Sequence, residues 1–174
     1  MRLFERSGGV PAEVLERAGL PRGERPLAKA PSSDGSWVIG TRRLLVLVPT
    51  EDAPRRIPWE QVEDAAWDKD ASRLTVTEIG SYGEQRPAYS FDMDDPALLL
   101  QLVRERVTAS IVLQRRVVVH GKQGLLVIAR RPPSGRGAVT WAYELDAGLD
   151  PDDPVVRDLA QGGLRAAAEE LGMI

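Results

Sequence analysis

The sequence predicts an α+β protein with antiparallel strands, and three features of the chain predict it. From Pro26 to Phe91, short apolar or alternating runs are separated by turn-forming residues. From Asp95 the apolar spacing lengthens to that of a helix. After Arg115 the same order, strands and then a helix, recurs on a smaller scale.

The first element is short. "VPAEVLERAGLP" predicts a helix that begins at Pro11, whose missing N–H costs nothing there, and stops at Gly19 before Pro21. Seven strands follow: Pro26–Ala30, Trp37–Ile39, Arg43–Val48, Arg56–Pro58, Val62–Trp67, Leu74–Ile79 and Ala88–Phe91. Their separators, "PSSDGS", "GTR", "PTEDAP", "DKDAS" and "GSYGEQRP", are rich in residues that favour turns. "RRLLVLVP" is apolar throughout, the pattern of a strand covered on both faces. Short strands at this spacing favour a small barrel or sandwich over a parallel sheet.

In "DDPALLLQLVRERVTASIVL", Asp95 can cap and Pro96 can take the first helical position. Leu99, Leu102, Val103, Val107 and Ile111 form one apolar stripe, with Gln101, Arg104, Glu105 and Thr108 opposite. "RRVVVH" and "GLLVIARR" then flank a tight turn, and "AVTWAYELD" supplies a third strand with Trp141, Tyr143 and Leu145 on one face. A last helix runs from Pro154, capped by Asp153, to Leu171, where Gly172 ends it. Gly162 and Gly163 inside it cost about 1 kcal/mol each relative to Ala, which points to a close crossing or a kink. The organisation expected is an N-terminal segment over 1–24, a barrel with its helix over 25–113, and a β segment with the C-terminal helix over 114–174.

The totals exclude more than they assign. The chain has 174 residues, 43% hydrophobic and 28% charged, with a net charge of −3, so nothing draws it globally to nucleic acid. It has no cysteine, hence no disulfide, thiol nucleophile or zinc-thiolate site. The N-terminus lacks the apolar run of a signal peptide, and the longest such run, Leu44 to Pro49, is about a third of a membrane span. A cytoplasmic protein without a membrane span is the expectation.

Charge is unevenly placed. From Gln101 to Tyr143, eight basic residues face Glu105 alone; from Glu144 to Ile174, eight acidic residues face Arg157 and Arg165. Strand alternation puts Arg116, Val118 and His120 on one face of their strand, with the pairs 115–116 and 130–131 expected to close one end of the hairpin. Arg115, Arg116, Lys122, Arg130 and Arg131 are therefore the candidate binding residues. At least one of the four arginines is expected to pair with the acidic segment from Glu144 to Asp158, within the chain or across a homodimer.

The strand and helix order, with Thr41, Arg43 and Leu44, then Ile57, Pro58 and Val62, then Leu74 and Val76, resembles bacterial pleckstrin-homology-like (PH-like) domains over residues 25–113. The stretches "LPRGERPLA", "GSWVIGTRRLL", "IPWEQV" and "VRERVTASIVLQRRV" also look like a group of short actinobacterial proteins, a likeness that implies no activity. The resemblance implies a PH-like antiparallel split barrel closed by a helix, followed by a three-stranded β segment and the C-terminal helix. On that fold Gly40-Thr41-Arg42-Arg43 is a bend between strands, with Arg43 beside a sheet edge or paired with a carboxylate. Phosphoinositide-binding relatives gather bases in the loop between their first two strands. Here that loop is "PSSDGS", with Asp34 and no base, so headgroup binding is not implied.

No catalytic residue, metal ligand set or cofactor motif is nominated. His120 is the lone histidine and reads as a surface or structural residue beside a turn. "HGKQG" lacks the first glycine and the Ser/Thr of a P-loop, and "DAGLDPDDP" lacks calcium-loop spacing. Glu60, Glu63 and Asp64, near Trp59 and Trp67, are the only carboxylates that suggest hydrolytic chemistry. Trp37, Trp59, Trp67 and Trp141 read as core residues, or as contact residues where exposed. The reading is a non-enzymatic binding or scaffold module with a protein partner. The alternatives are nucleic-acid binding through the basic strands after residue 113, against which the acidic total stands, and an enzyme using carboxylate chemistry.

Overall fold

A computed structural model describes residues 9–174; residues 1–8 of the expected N-terminal segment lie outside the described residues. The described chain is an α+β fold of three antiparallel sheets and three α-helices. Helix α1 (Ala12–Ala18) ends on Gly19, whose φ of +53° turns its N–H back onto the carbonyls of Leu15 and Glu16. Strands β1 (Ala28–Pro31), β2 (Trp37–Gly40), β3 (Leu44–Val48) and β4 (Arg55–Pro58) make a four-stranded meander. A single 3-10 turn, Trp59–Gln61, leads into β5 (Val62–Asp68), β6 (Arg73–Glu78) and β7 (Ala88–Asp92), which form the second sheet. All seven expected strands are present within a few residues of their predicted bounds.

The two sheets share one core. Leu45, Leu47 and Ile57 from the first meet Val62, Leu74, Val76 and Phe91 from the second, and Trp59 sits fully buried among them. Helix α2 (Ala97–Ser110) adds Leu99 and Val103 to the same cluster. Each aliphatic side chain buried this way contributes about 1.5–3 kcal/mol. The strands do not close into a barrel: β1–β4 and β5–β7 hydrogen-bond as separate sheets. At one seam, Ser33 N and Ser32 Oγ donate to the Asp92 carbonyl, at 2.7 and 2.9 Å. The continuous apolar character of β3 has its expected cause. Val46 and Val48 lie under Val14 and Ala18 of α1, while Leu45 and Leu47 face the core.

Asp95 Oδ1 accepts from Ala97 N at 3.1 Å at the start of α2, as its position before Pro96 predicts. The other end differs from expectation. Ile111 is not the last residue of a helical stripe but the first of β8 (Ile111–His120), paired with Arg130 of β9 (Gln123–Arg130). Ser110 ends the helix, its hydroxyl donating to the Val107 carbonyl at 2.6 Å, and Ile111 is already extended. The expected boundary at 113/114 therefore falls inside β8, because helix passes into strand without a loop.

β8, β9 and β10 (Thr140–Leu145) form the third sheet, with β9 central. Helix α3 (Pro154–Glu170) starts on Asp153, whose Oδ1 accepts from Val155 N at 2.8 Å, and it covers one face of the sheet. Leu125 and Val127 pack there against Val156, Ala160 and Ala167, with Trp141, Tyr143 and Leu145 beside them. Gly163 marks the close crossing: a Cβ on it would lie 2.6 Å from Val117 Cγ2 and 3.1 Å from Val127 Cγ2. Gly162 meets nothing within 4 Å. Among the described residues, no helix is long and apolar enough to cross a membrane.

Candidate functional site

The five cations singled out in the sequence do not form one patch. Antiparallel register pairs Arg115 with Val127 and Arg116 with Leu126, in the middle of the hairpin, whereas Arg130 pairs with Ile111 at its far end. The expectation that both arginine pairs close one end is thereby corrected: ten residues of β8, rather than six, carry the hairpin past Arg115. Arg116 makes a two-pronged pair with Asp146, with Nη1 3.0 Å from Oδ1 and Nη2 on Oδ2, and Nη2 also donates to the Lys122 carbonyl at 3.1 Å. Arg116, joined by a bond from Gly124 N, holds the Asp146 carboxyl below its usual range. Arg115 lies 3.4 Å from Glu170 of α3, and Lys122 is exposed in the turn. The anticipated pairing of an arginine with the acidic segment is present, within the chain.

Arg130 is a structural latch. It is 2% exposed, and its Nη1 donates to the Val62 carbonyl at 2.6 Å and to Ser110 Oγ at 3.3 Å, while Nη2 reaches the Glu63 carbonyl at 3.3 Å. Burial pulls its pKa down, with Glu63 and Glu144 acting in the opposite direction. The side chain thus ties the third sheet to the start of β5 and the end of α2. Arg131 is half-buried, and its backbone N–H donates to the Ser110 carbonyl. Arg115 and Arg116 on carboxylates and Arg130 in the core remove three of the five candidate cations from the free surface.

A concave site with apolar and basic lining lies elsewhere, one of several concavities of comparable size. A groove of about 660 Å³ opens where the β2–β3 bend, the end of β4, α2 and the loop after β9 meet. Pro21, Pro58, Pro132 and Pro133 line it with Leu44, and Arg42, Arg43 and Arg106 supply charge beside Glu60. Its size falls within the roughly 300–1,000 Å³ of ligand clefts.

The bend at Gly40–Arg43 is built from the chain's own groups. Thr41 N donates to the Leu44 carbonyl at 2.8 Å, Leu44 N to Thr41 Oγ1 at 3.0 Å, and Arg43 N to Glu24 Oε2 at 3.2 Å. Trp59 Nε1 donates to the Thr41 carbonyl at 3.0 Å, and Trp59 N to the Arg43 carbonyl at 3.2 Å. Arg43 Nε rests 2.6 Å from Glu24 Oε1. Burial of Glu24 would raise its pKa, but bonds from Thr41 and Arg43 outweigh this and hold it below the usual range. Three of the four residues after Gly40 thus spend their N–H groups internally, so the bend offers no amide cradle for phosphate. Arg43 pairs with a carboxylate, as the strand-bend reading requires. Arg42 is exposed and Arg106 half-buried, and neither has an ion pair among the described residues.

Of the remaining chemical candidates, Glu63 is tied into the fold, while Asp64 is exposed and Glu60 lines the groove. His120 is exposed at the end of β8. Glu78 is buried and held by Arg55, with Nη2 at 2.8 Å, and by the Tyr89 hydroxyl at 2.8 Å. Glu63 pairs with Arg86 at 2.8 Å; burial raises its pKa despite that neighbour. Trp59 is core, whereas Trp37, Trp67 and Trp141 are half-buried at the margins of the three apolar clusters. Sequence reading raised Arg42 as a question but missed Arg106, which stood on the helix beside Glu105 with no mark of its own. Its available signal was the "RRPPS" loop, whose prolines form the facing wall.

Fold and site together define an α+β protein with a proline-walled groove that carries two arginines without an ion pair among the described residues. Comparison with protein-family models, curated proteins and solved structures finds no match.

Proposed function

We propose that the chain is a cytoplasmic, non-enzymatic binding or scaffold module for a protein partner, with a PH-like arrangement over residues 25–113, and that the groove beside the Gly40–Arg43 bend is its binding site. Support for the PH-like reading is the order of elements: four strands, three strands and a helix around one core. The observation that carries the functional reading is the groove itself. It gathers four prolines, a leucine and two arginines that have no ion pair among the described residues, from five separate parts of the chain. Prolines have a fixed φ, so such a wall is pre-formed and loses little entropy when a ligand binds. An apolar floor with a few charged points suits a polypeptide surface.

The nucleic-acid reading draws less support, since Arg115 and Arg116 are paired with Glu170 and Asp146. Carboxylate chemistry is disfavoured by the engagement of Glu63, one of its three candidate carboxylates, with Arg86. Affinity capture from the source cell tests the proposal, with wild type compared against Arg42→Glu. A protein recovered by wild type and lost with the variant is the expected result. Recovery of nucleic acid, or of the same proteins by both, overturns it.

A further inference from the structure

We infer that the groove takes an acidic, extended peptide segment of the partner, with carboxylates against Arg42 and Arg106 and apolar side chains against Leu44 and the proline walls. This rests on the binding-module reading above and adds the chemistry of the partner to it.

The argument begins with how the arginines are spent. Seven of them are held in ion pairs among the described residues, and Arg130 is locked onto backbone carbonyls. Arg42 and Arg106 are not, yet they come from different elements, the β2–β3 bend and α2, and face the same groove. Two cations lining one groove, with Glu60 the one carboxylate in its lining and ion-paired with neither, leave net positive charge there for water or a ligand to screen. A ligand that supplies carboxylates at both points meets that charge with charge-assisted hydrogen bonds.

The walls decide the rest of the ligand's character. Four prolines offer no N–H, so an incoming strand finds no backbone donor at those positions. Side chains then supply the specific contacts: carboxylates to the arginines, apolar groups to Leu44 and the pyrrolidine rings. Dense anions fit poorly. Three of the four bend amides are already bonded internally, and Glu60 in the same groove repels a second negative charge placed near it. Acidic residues spaced along an extended peptide avoid Glu60; a phosphate cluster does not. The chain's own net charge of −3 gives no long-range attraction to an acidic partner, so binding depends on short-range contacts and weakens as salt screens them.

Selection of random displayed peptides of about ten residues on the immobilised full chain tests this, a length that spans a groove of this type. The expected winners are enriched in Asp and Glu interspersed with apolar residues. They should bind at least about ten-fold more weakly to Arg42→Ala/Arg106→Ala, with Lys122→Ala/Arg136→Ala changing affinity less than about two-fold. Arg42→Glu alone, at an exposed position, repeats the test should the double variant fold poorly. Winners with no acidic bias, or winners insensitive to both Arg42 variants, overturn the acidic-peptide inference while leaving a peptide-binding module in place. A selection that enriches no peptide at all overturns both this inference and the module reading.

Discussion

Both halves of the molecule hold arginines in ion pairs, but the groove lined by arginines without an ion pair among the described residues lies beside the first sheet. In the third sheet and α3, Arg115, Arg116 and Arg130 are absorbed by Glu170, Asp146 and the carbonyls of Val62 and Glu63. Around the first sheet, Arg43 is absorbed by Glu24, but Arg42 beside it and Arg106 across the groove are left open. The halves also pack differently. The first encloses large aliphatic side chains and Trp59 between two sheets and α2, whereas the second presses a helix of small residues onto a single sheet. A concentrated run of positive charge in sequence is thus no guide to a binding surface. What matters is which cations the fold leaves without a partner.

The comparison can be broken most severely in the first core. Val103→Asp places a carboxylate among Leu99, Trp59 and their neighbours with no cation to meet it, at a cost of about 4 kcal/mol or more. Denaturant titration should find that variant unfolded or nearly so. The latch comes next. Arg130→Ala strips donors from the Val62 and Glu63 carbonyls and leaves a void in the join between the halves. A loss of about 3 kcal/mol is expected, visible as a lower denaturation midpoint. If the halves unfold separately in this variant but together in wild type, the latch couples them.

The helix–sheet contact of the second half predicts a pair of opposite signs. Gly163→Val drives side-chain atoms into Val117 and Val127, short stiff residues in strands, and should cost about 2–3 kcal/mol. Gly162→Ala, in open space one residue earlier, should stabilise by about 0.5–1 kcal/mol through helix propensity. Equal effects at the two positions would contradict the close crossing.

The smallest effects lie in pH dependence. Asp146 titrates below its ordinary 3.8 because of Arg116 and Gly124 N. Its contribution is present above that value and is lost as pH falls through the folded value. Glu63 is shifted the other way, above 4.5 by burial, so its contribution is present at low pH and lost as pH rises through the folded value. Asp146→Asn should therefore lose stability at neutral pH and converge on wild type in acid. Glu63→Gln should compare most favourably with wild type at neutral pH, with the advantage fading below about 4.5. Thermal melts across the acidic range separate the two.

Several features of this fold were legible in the chain because local chemistry determines them. Gly19 and Pro21 stop α1, Asp95 and Asp153 start α2 and α3, and turn residues punctuate seven strands, since each of these acts within a few residues of itself. The apolar run Leu44–Val48 announced two covered faces, and the pair Gly162 and Gly163 a close crossing or a kink, of which the crossing is made by Gly163 alone. The junction at Ser110–Ile111 was not legible: "VTASIVL" satisfies both helical and strand spacing, and the pairing of Ile111 with Arg130 decides between them.

The groove belongs to the tertiary structure alone. Its walls come from Pro21, Pro58 and Pro132, far apart in sequence, and its charge from Arg42 and Arg106. By itself the sequence determined where the chain turns, which stretches are strands, and that basic and acidic blocks oppose each other. Only the folded chain decided which cations meet carboxylates. Ion pairing depends on distance in space and on burial, and neither is a property of spacing along the chain.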